Sequence, residues 1–111
     1  SVLKRDSRMD PTCGAIEGHV LSDEQVRIIL GTGVEEVIIA VDNDVPIEEV
    51  WNMCEKFYGL RKVSYIRDRW KLLGPKDSPA DAPDKLYRFM FKWRVPYDES
   101  EHRKYLKSLK K

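Results

Sequence analysis

The run Val37-Ile38-Ile39-Ala40-Val41 is continuously apolar and mostly β-branched, and it leads directly into Asp42-Asn43-Asp44. A surface strand of an antiparallel sheet alternates apolar and polar residues, whereas a parallel strand that is covered on both faces has no polar side. The run therefore predicts a buried central strand of a parallel sheet, with two aspartates at its carboxyl end.

Helix and strand signals alternate on both sides of this strand, as is typical of a parallel sheet covered by helices. A short strand is expected over residues 12–16. Ser22 and Gln25 have the spacing of a capping box, which predicts a helix start. That helix has a buried stripe and a glycine stop, expected at Val26, Ile29, Leu30, Gly31 and Gly33.

The residues after the aspartates predict a helix, a strand and two further helices. Pro46 suits a first helical turn, and Gly59 suits the end of that helix. A third strand is expected over 62–67, followed by a loop over 68–82. The predicted inward-facing residues of the three helices are Ile47, Val50, Cys54 and Phe57 or Tyr58; Leu86, Met90 and Trp93 with Phe89 beside them; and Tyr105, Leu106 and Leu109.

Together these signals predict a three-layer α/β fold, in which helices flank a mainly parallel sheet. The 111 residues are enough for one domain, which we expect to span 1–111 with a basic helical extension over about 97–111. Val95-Pro96 is expected to break the chain before a last helix capped by Asp98. The polar residues 1–10 are expected to be the end of an earlier helix.

Composition excludes several classes of protein. No apolar run approaches the roughly 20 residues that cross a bilayer, and no leader is evident, so a cytoplasmic protein is expected. Cys13 and Cys54 lack zinc-type spacing and are expected to be reduced, apolar residues.

Charge is distributed unevenly along the chain. Residues 1–60 hold 5 Lys and Arg against 12 Asp and Glu, a net of −7, and residues 61–111 hold 15 against 7, a net of +8. Such asymmetry favours a polyanionic partner on the basic half, although uneven surface charge alone would look the same.

Asp42 and Asp44 are the first candidates for chemistry. Ligands of open α/β sheets bind beyond the carboxyl ends of strands, and residues two apart on an extended chain project to the same side. Two adjacent carboxylates repel unless a cation lies between them, and Mg²⁺ (or Mn²⁺) is the natural partner. The alternative is that one aspartate caps the next helix while the other is merely solvated.

The loop over 68–82 carries further charged candidates. Asp77 and Asp81 follow the third strand and could add metal ligands at the same edge, although Asp81 would equally suit a helix N-cap. Four basic residues around this loop could contact phosphates of a nucleic acid, or could simply be solvated: Arg67, Arg69, Lys71 and Lys76.

Three segments resemble the later part of a Toprim domain, the metal-binding catalytic fold of bacterial-type primases, type IA and II topoisomerases and some nucleases. They are Gly18-x-x-Leu21-Ser22-x-x-Gln25, VIIAVDND over 37–44 and LLGPKDSPAD over 72–81. The similarity covers roughly 12–84 and is greatest to primase-like and phage members. It implies magnesium at Asp42 and Asp44, and nucleotidyl or phosphodiester transfer through two such ions.

The resemblance also implies partners: DNA, an RNA primer, nucleotides and other domains of a larger parent protein. Toprim domains begin with a Glu-Gly strand, and Glu17-Gly18 is too near Asp42, so we expect that strand upstream of residue 1. Without its glutamate, the chain would bind metal and not turn over. Pro46-Ile47 replaces the small residue and glycine that often follow the aspartates.

Two other readings stay open. VIIAVDND also resembles the first motif of haloacid-dehalogenase-type phosphatases, in which Asp42 would be the nucleophile and Asp44 a general acid. Alternatively, the chain is a non-catalytic interaction module of a replication protein. The histidines His19 and His102 are expected at the surface, and Trp51, Trp70 and Trp93 are expected to pack rather than to stack on bases.

Overall fold

The computed structural model describes residues 3–4, 12–16, 22–41, 44–67 and 82–109. Within these residues, four helices accompany five strands in an α/β arrangement, which confirms the predicted fold class. Within this part of the chain no helix is long and apolar enough to cross a membrane. The elements in chain order are β1 (Leu3–Lys4), β2 (Cys13–Ile16), α1 (Asp23–Leu30), β3 (Glu36–Ile39), α2 (Ile47–Glu55), β4 (Lys62–Tyr65), α3 (Asp84–Lys92), β5 (Val95–Pro96) and α4 (Glu99–Ser108).

The sheet has the strand order β1-β2-β3-β4-β5. The strands β2, β3 and β4 are parallel, and the short edge strands β1 and β5 are antiparallel to their neighbours. Ile16, Ile39 and Tyr65 lie side by side in this register, so the three parallel strands end at one edge. The predicted central parallel strand is confirmed, since β3 is paired on both sides and every residue in it is buried.

One face of the sheet is covered by α1 and α2, whose apolar stripes form one core cluster with it. Val63 and Tyr65 of β4 belong to this side, and Phe57 rather than Tyr58 is the buried aromatic after α2. Ser22 Oγ accepts from Gln25 N (3.1 Å) and Gln25 Oε1 accepts from Ser22 N (3.0 Å), which confirms the capping box.

Two glycines have the positive φ that favours glycine over other residues. Gly33 (φ 78°) follows α1 and Gly59 (φ 82°) follows α2. Gly31 was also predicted as a left-handed stop, but it caps α1 in the right-handed region with φ −75°.

The other face is covered by α3, and the prediction for its contacting residues is right in part, because Met90 and Leu86 pack on the core as expected. Tyr87 and Met90 are buried against the sheet, whereas Trp93 and Phe89 are exposed. The apolar residues of the helix cover a broad arc, from Phe89 through Met90 to Phe91, so two overlapping stripes satisfy the helical period. The sheet selects the stripe that contains Tyr87 over the one that contains Trp93.

The two edge strands of the sheet also depart from prediction. Val95–Pro96 does not only break the helix, because it pairs with Ser64–Tyr65 as an edge strand, a position where proline's missing N–H is tolerated. Leu3–Lys4 is a strand rather than a helix end, and it pairs with β2.

The last helix, α4, is capped by Asp98 as predicted, but its buried residue is His102. That side chain is 2% exposed, and its ring lies 5.6 Å from Trp51 on α2. Leu106 and Leu109 are exposed, contrary to prediction. His102 and Tyr105, about one turn apart on α4, both contact the Trp51 ring of α2.

Both cysteines are free and buried, in agreement with the prediction that they act as small apolar residues. Burial raises the pKa of the Cys54 thiol, so this group is held in its unreactive protonated form.

Candidate functional site

The carboxyl edge of the parallel strands is rigidly hydrogen-bonded up to the point where the chain leaves the sheet. Beyond the strands proper, Ala40 N donates to Ile16 O (2.8 Å) and Ile66 N donates to Ile39 O (2.9 Å). Ala40 and Val41 remain buried. The loop that carries the aspartates therefore begins from a fixed backbone position, and not from a frayed strand end.

Asp44 lies in the turn between this strand and α2, and its side chain is exposed. It does not cap the helix: the N-cap of α2 is Pro46, and no side chain hydrogen-bonds there. Val45 is buried beside it and anchors the turn in the core. The alternative role as a helix cap is thus not filled by Asp44. Asp42 lies outside the described residues.

Arg67 joins the two loops that leave this edge. Its Nη1 donates to Val45 O at 2.7 Å, which links the end of β4 to the turn after β3. Burial lowers the pKa of the Arg67 guanidinium, and electrostatic interactions with Tyr65 and Asp44 act in the opposite direction. Asp44 and Arg67 thus interact electrostatically. At least one N–H group of the guanidinium is already hydrogen-bonded to the protein's own backbone.

The remaining predicted site residues lie outside the described residues, so their approach to Asp44 stays a prediction. These are the acidic residues Asp77 and Asp81, and the basic residues Arg69, Lys71 and Lys76. The same holds for Glu17-Gly18, His19 and Trp70.

A carboxylate oxygen in this position is chemically suited to Mg²⁺, which uses few protein carboxylates and completes its shell with waters and phosphate oxygens. Of the four predicted metal ligands, only Asp44 falls in the described part of the chain, and it is exposed. No group of three or more His, Cys, Asp or Glu able to hold a metal occurs among the described residues. A complete ligand set would need Asp42, and the acidic loop over 77–81 would be its further source.

The amino edge of the sheet holds a carboxylate that the sequence did not single out. Glu36 is 5% exposed at the start of β3. Arg94 binds it with two hydrogen bonds, Nε to Oε2 at 2.7 Å and Nη2 to Oε1 at 3.2 Å. Ser64 Oγ donates to Oε2 at 2.8 Å, and Cys13 Sγ lies 3.9 Å from Oε1.

Burial raises the pKa of Glu36, but the hydrogen bonds from Arg94 and Ser64 and the positive charges of Arg94 and Lys62 outweigh it. The net result is a pKa below the ordinary value of 4.5, so the carboxylate is ionised and paired. The charge and hydrogen-bonding capacity of Glu36 are thus satisfied within the protein, and this cluster stabilises the fold. The only signal in the sequence was a charged residue at the head of an apolar strand.

Comparison with known proteins gives no match to a family model, to a curated protein or to a solved structure. What the fold and the site define is an α/β protein with an exposed carboxylate after its central parallel strand.

Proposed function

We propose that this chain is the metal-binding part of a Toprim-type catalytic domain of a primase-like protein, and that it serves nucleotidyl or phosphodiester transfer on nucleic acid. The observation that carries the proposal is the position of Asp44, which is exposed after the central parallel strand and does not cap α2. Ligands of such sheets bind beyond the carboxyl ends of the strands.

Asp42 and Asp44 would hold Mg²⁺, with Asp77 and Asp81 as further ligands. The bound metal would neutralise phosphate oxygens and stabilise charge that develops during phosphoryl transfer. Arg67 braces the turn that carries Asp44 through its bond to Val45 O.

The basic residues after β4 would meet the phosphates of the nucleic acid. Arg69, Lys71 and Lys76 belong to the carboxyl-terminal half of the chain, whose net charge of +8 suits a polyanion. Arg67 would contribute mainly by positioning, since at least one of its N–H groups already binds Val45 O.

The test is a titration with Mg²⁺ or Mn²⁺ followed by amide NMR, on the unmodified chain and on Asp44→Asn and Asp42→Asn/Asp44→Asn. We expect saturable shifts around residues 41–46 that disappear in both variants. Glu49→Gln is the matched control, because it removes an exposed carboxylate from α2 nearby and should leave the shifts intact.

Nucleotide binding tests the chemistry more directly. A nucleoside triphosphate should bind the unmodified chain more tightly with Mg²⁺ than with EDTA, and Asp44→Asn should remove the difference. The proposal is wrong if millimolar metal produces no saturable shift. Hydrolysis of p-nitrophenyl phosphate that Asp42→Asn abolishes would instead identify the haloacid-dehalogenase-type phosphatase.

A further inference from the structure

The outward face of α3 carries an alternating row of basic and aromatic residues. Lys85, Arg88, Phe89, Lys92 and Trp93 follow the helical spacing i, i+3, i+4, i+7 and i+8, so they share one side of the helix. All five are exposed, Phe89 by 40% and Trp93 by 52%. This row is called the α3 face below.

The exposure of two large aromatic rings one turn apart is unusual, because burying such a ring stabilises a fold by about 1.5–3 kcal/mol. The helix already buries its other side through Tyr87 and Met90. Phe89 and Trp93 stay largely exposed, and exposed large apolar side chains close together are characteristic of a binding surface.

The charges on the α3 face point to the chemistry of the partner. Among the described residues, Lys85, Arg88 and Lys92 form no ion pair with an acidic side chain. The ammonium of Lys92 lies 6.0 Å from the centroid of the Trp93 ring, so cation and ring are presented together. A partner must therefore offer both negative charge and flat apolar surface.

Single-stranded nucleic acid has both properties. Its phosphates pair with lysine and arginine, and its unpaired bases stack on aromatic rings, for about 1–3 kcal/mol per base. In a duplex the base faces are already stacked on each other, so no base face would be available to stack on Phe89 and Trp93.

We propose that the α3 face binds single-stranded nucleic acid, with Phe89 and Trp93 stacking on bases and the three cations contacting phosphates. The inference rests on the proposed function for the choice of nucleic acid among polyanions. It requires neither metal nor Asp44, and it places part of the substrate path on the side of the sheet opposite to α1 and α2.

The helix α4 provides an internal comparison. It exposes the cations Lys104 and Lys107, but its exposed apolar residues are Leu106 and Leu109, which are aliphatic. Aliphatic side chains do not stack on bases, so α4 should attract any polyanion weakly and without preference for single strands.

The experiment measures fluorescence anisotropy of a labelled oligothymidine and of a labelled duplex of equal length, both in EDTA so that metal binding plays no part. Trp93→Ala and Phe89→Ala should each weaken single-strand binding by roughly 5- to 150-fold, the equivalent of one lost stacked base. Duplex binding should change by less than about twofold. Leu109→Ala is the matched control and should change neither.

Charge variants test the second half of the proposal. Lys85→Ala/Arg88→Ala/Lys92→Ala should weaken binding to both oligonucleotides and lower the single-strand salt slope by about 2, since each phosphate contact contributes about 0.7. Oligothymidine should quench tryptophan fluorescence in the unmodified chain, and Trp93→Phe should remove most of the quenching. Lys104→Ala/Lys107→Ala should leave the quenching unchanged.

The proposal is overturned if Trp93→Ala and Leu109→Ala bind oligothymidine alike, or if Trp93→Ala weakens single-strand and duplex binding equally. Trp93-dependent binding to phosphatidylserine vesicles, without oligothymidine binding, would assign the α3 face to a membrane surface and also overturn it. If the unmodified chain binds no metal but its binding to oligothymidine still depends on Trp93, only the proposed metal site is overturned. If the chain binds metal but its binding to oligothymidine does not depend on Trp93, only the proposal for the α3 face is overturned.

Discussion

The two ends of the central strand β3 place a carboxylate in opposite environments. At the amino end, Glu36 is buried and receives hydrogen bonds from Arg94 and Ser64. Past the carboxyl end, Asp44 is exposed and makes no hydrogen bond or ion pair with a described residue. Both groups are acidic and lie on one stretch of chain, but one is used by the fold and the other is available to a ligand.

The difference follows from desolvation. A buried carboxylate must be paired and hydrogen-bonded, or it costs several kcal/mol. Glu36 meets this requirement inside the protein, which leaves no coordination site for a cation. Asp44 keeps its hydration, so a metal ion can replace water there without a structural penalty.

Removal of the buried carboxylate should have the largest effect. Glu36→Ala leaves the half-buried guanidinium of Arg94 without its partner, and we expect a loss of about 3–5 kcal/mol in the free energy of unfolding. Urea denaturation measures the change. Glu35→Ala removes the exposed neighbouring carboxylate and should cost less than about 0.5 kcal/mol. Equal losses in the two variants would show that the burial of Glu36 and its pairing with Arg94 do not account for the effect.

The second-largest effect is expected from acid, which should lower the free energy of unfolding by protonating Glu36. The pKa of Glu36 is below 4.5 in the folded chain, so the unfolded chain binds more protons in this range. The stability contributed by Glu36 is therefore complete above about pH 4.5 and is lost as the pH falls toward its folded pKa. Glu36→Gln should flatten the acid limb of stability against pH, measured by urea denaturation at several pH values. An unchanged acid limb in Glu36→Gln would contradict this.

One neutral donor to the same carboxylate should matter less. Ser64→Ala removes the buried hydroxyl that donates to Glu36 Oε2, and we expect a loss of about 1 kcal/mol. Ser108→Ala is the control, because its hydroxyl donates to Tyr105 O at the exposed end of α4. Thermal or urea unfolding should show a clearly smaller loss for Ser108→Ala, and the reverse order would argue against the role of Ser64.

The smallest effect on stability is expected at the carboxyl end. Asp44→Asn should change the metal-free free energy of unfolding by less than about 0.5 kcal/mol, because no contact among the described residues depends on the carboxylate. Millimolar Mg²⁺ should raise the melting temperature of the unmodified chain but not of Asp44→Asn, since only a ligand bound to the folded state stabilises it. A large metal-free loss in Asp44→Asn would mean that Asp44 is structural.

Much of the architecture could be predicted, because its signals are local. The capping box at Ser22, the Asp98 cap and the apolar run into β3 each depend on residues within one or two turns of chain. The position of Asp44 beyond a central parallel strand followed from the same run. Its freedom from a capping role did not, because Pro46 and Asp44 are both plausible near a helix start.

The incorrect predictions concern helix faces and long-range partners. On α3 and α4 more than one stripe met the helical period, and neighbouring elements decided which was buried. Trp93 and Leu109 were expected inward and are exposed, while His102 was expected outward and is buried.

The amino-acid sequence alone determines the order and type of the main elements and the acidic end of the central strand, since caps, glycine stops and hydrophobic runs act over a few residues. Tertiary structure decides the pairing of Glu36 with Arg94, 58 positions away, and the outward aim of the α3 face. The physical reason is that burial depends on which surfaces meet, and those surfaces come from segments far apart in the chain.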